Sequence, residues 1–353
     1  MKRLVMLILL NFMVACTLRS ASDAKPKLLD VVFSKAFPSA SFNKVEFSKD
    51  GKSILAVPYS GAVYVVDSED FSMKTLELEG TLAEAGFIPN GNEVFTADLY
   101  GFAQIWDSNL KKRFSYKFPE SGKLASVSEG SKYIAYGGYL YDTSANKLLA
   151  EPVDHVDQSA LQFHGSDYVL SAGYWDQFVI IRNLTDDTRT LWRTDDRITA
   201  AVAVDDFIVA GTDDGNCYVW TMPGDKPVRT ITGWGRIYLM AKHPNEPIFA
   251  ISREDSATVY SLRPFKRLLD IDASDLIQSL TLSENGIIAL GESNGTIQMW
   301  DINKKALIGT YRVDNDPIYG LAIDPKTSNL AAGTYFGKLL LLKANRESHG
   351  GTP

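Results

Sequence analysis

The chain has 353 residues, of which 45% are hydrophobic and 22% charged, a composition typical of globular proteins with length for a sizeable core. The net charge is −7 and the pI is about 5.3. No basic run is available to follow a phosphate backbone, so we expect no nucleic-acid partner.

The N-terminal segment has the pattern of a secretory signal. Two basic residues precede an apolar run, Leu4–Ala15, that is too short to span a bilayer as a helix. The run ends in Met-Val-Ala-Cys, which resembles the lipobox of bacterial lipoproteins, with Met13 where Leu is usual. We predict a signal peptide at 1–15, and a lipidated Cys16 with a flexible tether at 16–26. The alternative is a plain secretory signal in which Cys16 is incidental.

The lipobox resemblance implies acyl chains on Cys16 that hold the protein to a membrane. Thr17 follows the cysteine, and the resemblance then suggests the outer membrane of a bacterial envelope, facing the periplasm. The chain has two cysteines, so Cys217 would have no disulfide partner. It lies in a strand pattern, and we predict a buried, inert thiol.

A segment that ends in a polar residue recurs eight times after a turn. The copies are SGAVYVVD (to Asp67), YGFAQIWD (to Asp107), GGYLYD (to Asp142), DQFVIIRN (to Asn183), DGNCYVWT (to Thr221), EDSATVYS (to Ser261), NGTIQMWD (to Asp301) and FGKLLLLK (to Lys343). The intervals between the marker residues are 40, 35, 41, 38, 40, 40 and 42. Such a period is typical of a propeller or a solenoid.

Each period divides into short strands separated by Gly, Asn, Asp and Pro turns, which predicts an all-β fold. Four-stranded units of this length favour a β-propeller over a sandwich. We predict eight blades, or seven if the short unit Lys123–Pro152 is not a blade. The segment Lys27–Phe37 would supply the fourth strand of the last blade and close the ring. The propeller would span 27–345 and a disordered tail 346–353.

The repeats resemble those of the WD-repeat family. The Trp-Asp ending is literal at Trp106-Asp107 and Trp300-Asp301, and Trp220 keeps the aromatic half. Many family members also have a Gly-His pair whose His joins a buried Asp–Ser/Thr–Trp hydrogen-bond network. None of the four His here follows a Gly, so we expect this network to be mostly missing and apolar packing to hold the blades together.

Motifs for catalysis or metal binding are weak. Gly291–Gly295 matches G-x-S-x-G but falls on a hairpin turn, where a nucleophile elbow needs a strand, a turn and a helix. The sequence Asp213–Asn216 lacks the ligand spacing of an EF-hand. The inner strands read as mostly small or apolar. We therefore predict no catalytic residues, no metal and no cofactor.

One face of the propeller should carry large aromatic and arginine side chains. Turns favour Gly, Asn, Asp and Ser, so bulky rings at strand-two to strand-three turns need another reason. Aromatic residues and Arg are typical anchors of protein interfaces. The residues predicted for a protein-binding face are Tyr59, Tyr100, Tyr174, Trp175, Arg197, Trp234, Arg236, Tyr335 and Phe336. Alternatively, these rings cap the ends of their own sheets.

The sequence thus predicts a membrane-anchored, non-catalytic scaffold that binds one or more protein partners in the bacterial envelope. Two alternatives remain. One is a propeller enzyme, a hydrolase or a quinone-dependent dehydrogenase. The other is a carbohydrate or small-ligand binder that uses the central channel or the aromatic face.

Overall fold

The computed structural model describes residues 28–37, 41–59, 61–150, 155, 157–222 and 224–343. The predicted signal peptide, Cys16 with its tether, and the tail 346–353 lie outside these ranges. The described part folds into eight four-stranded antiparallel sheets, and its helical content is one 3₁₀ turn, Glu129–Ser131. The described ranges contain no helix that is both long and apolar enough to cross a membrane.

The blades are numbered here in chain order, and each contains four consecutive strands except the eighth. Blade 1 contains β2 (Phe42–Phe47), β3 (Ser53–Pro58), β4 (Ala62–Asp67) and β5 (Met73–Glu77), and blade 2 contains β6 (Leu82–Phe87), β7 (Val94–Asp98), β8 (Phe102–Trp106) and β9 (Lys112–Lys117). Blade 3 contains β10 (Ala125–Val127), β11 (Tyr133–Tyr136), β12 (Tyr139–Asp142) and β13 (Lys147–Ala150), and blade 4 contains β14 (Gln158–His164), β15 (Tyr168–Gly173), β16 (Phe178–Asn183) and β17 (Arg189–Arg193).

Blade 5 contains β18 (Ile198–Val204), β19 (Phe207–Thr212), β20 (Cys217–Thr221) and β21 (Arg229–Ile231), and blade 6 contains β22 (Leu239–Lys242), β23 (Ile248–Arg253), β24 (Ser256–Leu262) and β25 (Phe265–Asp272). Blade 7 contains β26 (Ile277–Leu282), β27 (Ile287–Glu292), β28 (Thr296–Asp301) and β29 (Ala306–Arg312). Blade 8 contains β30 (Ile318–Ile323), β31 (Leu330–Thr334), β32 (Lys338–Lys343) and, from the N-terminal side, β1 (Asp30–Ala36).

The ring closes as predicted. Strand β1 pairs antiparallel with β32 and completes blade 8, while the first strands of neighbouring blades touch all the way round, including β30 against β2. The short unit forms a true four-stranded blade, β10 to β13, so the seven-blade alternative is wrong. Closure leaves each blade packed against two others, and this packing replaces the exposed faces of an open sheet.

Successive side chains of a strand point to opposite faces of its sheet, so each blade presents apolar residues to both neighbouring blades. Seven buried hydrophobic clusters each join two neighbouring blades. Fully burying one aliphatic or aromatic side chain contributes about 1.5–3 kcal/mol. Cys217 lies inside one of these clusters, and burial raises the pKa of its thiol to about 12, in agreement with the predicted inert cysteine.

The repeat residues have the structural roles that their positions suggest. Trp106 and Trp220 are buried, and Trp300 packs partly buried against a cluster of blades 6 and 7. Asp107 ends its strand by accepting the Asn109 and Lys111 amides at 2.9 and 3.0 Å, and Asp301 accepts the Lys304 amide at 2.8 Å. These carboxylates satisfy turn amides that would otherwise be unpaired.

The buried hydrogen-bond network, which was expected to be mostly missing, is retained in part at one blade. In blade 4, His155 bonds Asp176 through Nδ1 at 2.8 Å and Ser171 through Nε2 at 3.0 Å. The Gly-His pattern did not identify this His, because Asp154 and not Gly precedes it. Blade 4 therefore keeps the His–Asp–Ser part of the network.

Blade 7 builds a different network around a buried carboxylate. Glu292 accepts from Ser274 at Oε2 and from Gln298 at Oε1, and the Gln298 amide oxygen accepts the Trp300 Nε1–H at 2.9 Å. A buried carboxylate is costly unless its oxygens are paired. Polar contacts therefore contribute to blade packing alongside the apolar clusters.

Candidate functional site

The nine residues of the predicted face lie at one end of the propeller. Each is on a turn between the second and third strands of a blade, or on a connection between blades, and antiparallel topology places both kinds of loop at the same edge. The structure nevertheless divides them among three places: blades 4 to 6, blades 8 and 1, and the gap between blades 1 and 2.

The largest group is an Arg–aromatic cluster formed by three consecutive blades. Its members are Tyr174, Trp175, Arg197, Asp213, Arg236 and Tyr238. Tyr174 and Trp175 lie on the turn after β15, and Asp213 lies on the turn after β19. Arg197 comes from the connection of blades 4 and 5, and Arg236 from that of blades 5 and 6.

Asp213 connects the basic and aromatic members of the cluster. Its carboxylate lies 3.2 Å from Arg197 Nη2 and 3.3 Å from Arg236 Nε, and it accepts the Tyr174 hydroxyl at 3.4 Å. Asp196 also lies 3.8 Å from Arg197 Nε, so two carboxylates balance the two guanidinium groups. Among the described residues, the buried Arg236 Nε–H has no aligned hydrogen-bond acceptor.

The guanidinium groups are held by aromatic rings. Arg197 lies 5.5 Å from the centroid of Tyr174 and 5.1 Å from that of Trp175. Arg236 lies 5.6 Å from Tyr174 and 5.4 Å from Tyr238. Planar guanidinium groups stack well on aromatic rings, and such contacts restrict long side chains before any partner arrives. Less conformational entropy is then lost on binding.

Trp234 stands beside this cluster on the connection that also carries Arg236. Its side chain is 95% exposed, more than any other large hydrophobic residue among those described. A Trp side chain can bury about 150–250 Å², worth about 5 kcal/mol before the costs of association. An indole left in water by the folded chain is therefore available to a partner.

A second group, the tyrosine cluster, lies at blades 8 and 1. It contains Tyr59, Tyr319, Tyr335 and Phe336. Tyr335 contacts Tyr319 and Phe336 edge to face, with centroids 5.4 and 5.1 Å apart. Burial, with Tyr319 and Tyr335 close by, raises the pKa of Tyr59 above its ordinary value. Blade 1 is four blades from blade 5, so the two clusters lie on opposite sides of the ring.

Tyr100 is separate from both clusters. It is 60% exposed on the turn after β7 and lines a cavity between blades 1 and 2. The sequence prediction also missed Asp213, Tyr238 and Tyr319, because an acidic turn residue, a tyrosine beside a strand and a tyrosine within a strand have ordinary local explanations.

The inner strands are more polar than predicted. Lys44 on β2 lies 3.3 Å from Glu46 and 2.9 Å from Glu84 of blade 2. Burial alone would lower the pKa of Lys44, but the two carboxylates raise it overall. Lys242 on β22 donates to the Ala203 carbonyl at 3.0 Å, and burial lowers its pKa. The prediction of small or apolar inner strands is therefore wrong at these positions.

Acidic, His and Cys side chains do not converge in the described ranges: no group of three or more is placed to hold a metal ion. The G-x-S-x-G match lies on the β27–β28 hairpin, with Ser293 on the turn, as the sequence predicted.

Comparison with known proteins defines the fold and no more. No protein-family model and no curated protein matches the chain. The crystal structure of the computationally designed Ika8 protein is similar, with a TM-score of 0.76 and 18% identity over 90% of this chain and 100% of that one. The C-terminal WD40 domain of Sif2 is also similar, with a TM-score of 0.78 and 12% identity over 91% of this chain and 100% of that one.

The chain is thus an eight-bladed β-propeller with a WD40-like fold. Fold alone does not decide function, which depends on the site.

Proposed function

We propose that the protein is a non-catalytic scaffold that binds a protein partner through Trp234 and the Arg–aromatic cluster. The observation that carries this proposal is the combination of a fully exposed indole with two arginines that aromatic rings and Asp213 hold in place. Trp, Tyr and Arg are the side chains most enriched among residues that dominate binding energy. The tyrosine cluster on the opposite side is a smaller secondary surface.

The scaffold would be held at the bacterial envelope by acyl chains on Cys16, at the outer membrane and facing the periplasm. The lipobox-like sequence supports this location. A tether of about ten residues would let the propeller move over the membrane surface. Cys16→Ser should release the protein from the membrane fraction, and mass spectrometry of the mature N-terminus should find an acylated Cys16 in the unchanged chain. Membrane retention of Cys16→Ser would contradict the anchor.

The binding face can be tested with a photo-crosslinking amino acid placed at position 234 in the full chain. We expect a discrete crosslinked product from solubilised envelope, whose partner is then identified and purified. Position 336 is the matched control, because Phe336 is also an exposed ring on the same face but belongs to the tyrosine cluster. The same product at both positions, or at neither, would contradict the assignment to blades 4 to 6.

Affinity for the purified partner gives the quantitative test. Trp234→Ala should weaken binding by about thirtyfold, which corresponds to about 2 kcal/mol, while Phe336→Ala should change it by less than about threefold. Trp234 makes few contacts within the chain, so thermal unfolding should be unchanged and loss of folding can be excluded as the cause.

A further inference from the structure

An inter-blade cavity of about 460 Å³ lies between blades 1 and 2. Its floor is the surface of blade 2 that faces blade 1, and its opposite wall is the end of β5 with the connection that follows. This size is within the range of small-molecule sites in proteins. Tyr100 of the predicted face lines this cavity, and the proposed partner site at blades 4 to 6 does not include it.

At the junction of blades 4 and 5, aromatic side chains fill the space that corresponds to this cavity. Leu76 of β5 pairs with Val63 of β4. At the equivalent position of blade 4, Trp192 of β17 pairs with Val179 of β16. At the junction of blades 4 and 5, Trp192 packs 6.0 Å from Trp220, and Tyr218 stacks on Trp220 at 5.7 Å. At the junction of blades 1 and 2, Leu76 replaces the Trp and Gln104 replaces the Tyr. Both side chains are smaller than their counterparts at blades 4 and 5, and Gln104 lines the cavity beside Trp106.

In blade 7, two polar side chains at the positions of Asp98 and Gln104 are hydrogen-bonded to each other. There Glu292 receives the Gln298 amide at 2.8 Å. Asp98 occupies the equivalent position in blade 2, one methylene shorter, and accepts the Tyr100 and Phe102 amides at 2.9 Å instead. The side chain of Gln104, the counterpart of Gln298, has no hydrogen-bond partner within the described ranges, and Gln104 lines the cavity. The cavity therefore contains an unused donor and an unused acceptor.

The lining alternates neutral polar and aromatic groups. The register aligns Thr96, Gln104 and Ser115 as a polar row across blade 2. Trp106 lies on one side of this row and Phe102, which is 43% exposed, on the other. An amide and hydroxyls can both donate and accept hydrogen bonds, and aromatic rings favour contact with C–H surfaces.

Charge restricts the class of ligand further. The rim carries Glu77, Glu79 and Asp98, which oppose anions. Lysines already lie over the rings, with Lys112 Nζ 5.3 Å from Trp106 and Lys117 Nζ 4.6 Å from Phe102, and they oppose a cationic ligand at the same rings.

We propose that the inter-blade cavity is a binding site for a neutral carbohydrate, with one sugar ring against the exposed rings of Tyr100 and Phe102 and its hydroxyls bonded to Gln104 and its polar row. A pyranose combines hydroxyls that both donate and accept with an apolar ring face, which matches this lining. The site lies on a different part of the ring from Trp234, so the proposal is independent of the partner-binding function.

The test titrates the full chain with cellotriose, maltotriose and chitotriose by calorimetry and ligand-observed NMR. Glucuronic acid and glucosamine serve as anionic and cationic controls. We expect at least one neutral trisaccharide to bind with a Kd below about 20 mM, and neither charged sugar to bind as tightly. No binding by any of the three neutral sugars, or equal binding of a charged one, would overturn the proposal.

Two variants test whether the sugar binds in the inter-blade cavity. Leu76→Trp introduces the side chain that fills the equivalent position at blades 4 and 5, and should abolish binding. Gln104→Leu should weaken it by about fivefold or more, the loss expected for neutral hydrogen bonds. Gln298→Leu is the matched control at blade 7 and should leave sugar affinity unchanged. Undiminished binding to Leu76→Trp, or to Gln104→Leu if the first variant does not fold, would refute the site.

Discussion

At the scale of single residues, the propeller uses burial and charge differently on its surface and in its core. Asp213 stabilises two half-buried arginines near the surface, whereas Cys217 is isolated from water between blades 5 and 6. Burial penalises the thiolate, so the folded protein holds this proton more tightly than the unfolded chain does. The stability of the fold should then depend on pH through this one group.

The pH dependence has a definite sign. The ordinary pKa of 9.0 is raised in the folded state to about 12, so the contribution of the thiol is complete below pH 9 and is lost as the pH rises towards 12. At pH 10 the free energy of unfolding should be lower by about 1 kcal/mol from this source. Urea unfolding of the unchanged chain and of Cys217→Ala at pH 8 and pH 10 measures the difference. An equal pH dependence in both proteins would contradict the assignment.

At the scale of strands and turns, the repeated hairpin depends on glycine where the backbone requires it. Gly295 has φ of +84°, and an added Cβ would lie 1.9 Å from the carbonyl oxygen of Val313. The Val313 amide in turn donates to the Gly295 carbonyl at 2.9 Å, so the turn is held against the end of β29. A side chain at this position would disrupt both the turn and that contact.

Gly295→Ala should lower the free energy of unfolding by about 2–4 kcal/mol, because left-handed strain adds to a backbone clash. Gly165→Ala is the matched control. Gly165 has φ of +61°, but no described residue lies within 4 Å of its would-be Cβ, so only about 1 kcal/mol of strain is expected. Denaturant unfolding of both variants measures the two costs. Equal losses would show that the close approach at Val313 does not matter.

At the scale of the whole molecule, stability depends on closing the ring. Strand β1 covers the edge of β32, and its flanking residues Leu29 and Phe37 are buried in two different inter-blade clusters. Leu29 also donates its amide to the Thr310 carbonyl of blade 7 at 2.9 Å. The N-terminal segment therefore joins blades 7, 8 and 1.

A chain that starts at residue 38 should lose at least about 3 kcal/mol of unfolding free energy, from two buried side chains, and should associate through the exposed edge of β32. A chain that starts at residue 27 keeps β1 and is the matched control, with stability unchanged. Calorimetry gives the stabilities and light scattering the association. Equal melting temperatures for the two truncations would contradict this role of β1.

The period of the repeat was sufficient to predict eight blades, the strand order and the closing strand, because turn chemistry and alternation are local properties of each unit. The same local rules identified the buried Cys217 and the strand-ending role of Asp301. They could not show that Tyr174 of blade 4 lies between arginines from two other connections, because that contact depends on how successive blades are angled.

Tertiary structure alone decided the inner polar contacts of Lys44, the His155 network and the inter-blade cavity. The Lys44–Glu84 and His155–Asp176 contacts join residues 40 and 21 positions apart, and the cavity is lined by residues of two blades. Leu76 and Gln104 are unremarkable within their own strands, and they create an opening only where the facing blades bring them together. The sequence by itself thus determined the ring and its repeating unit, while packing between blades decided where a partner or ligand can bind, because the inter-blade surfaces form only after the ring is closed.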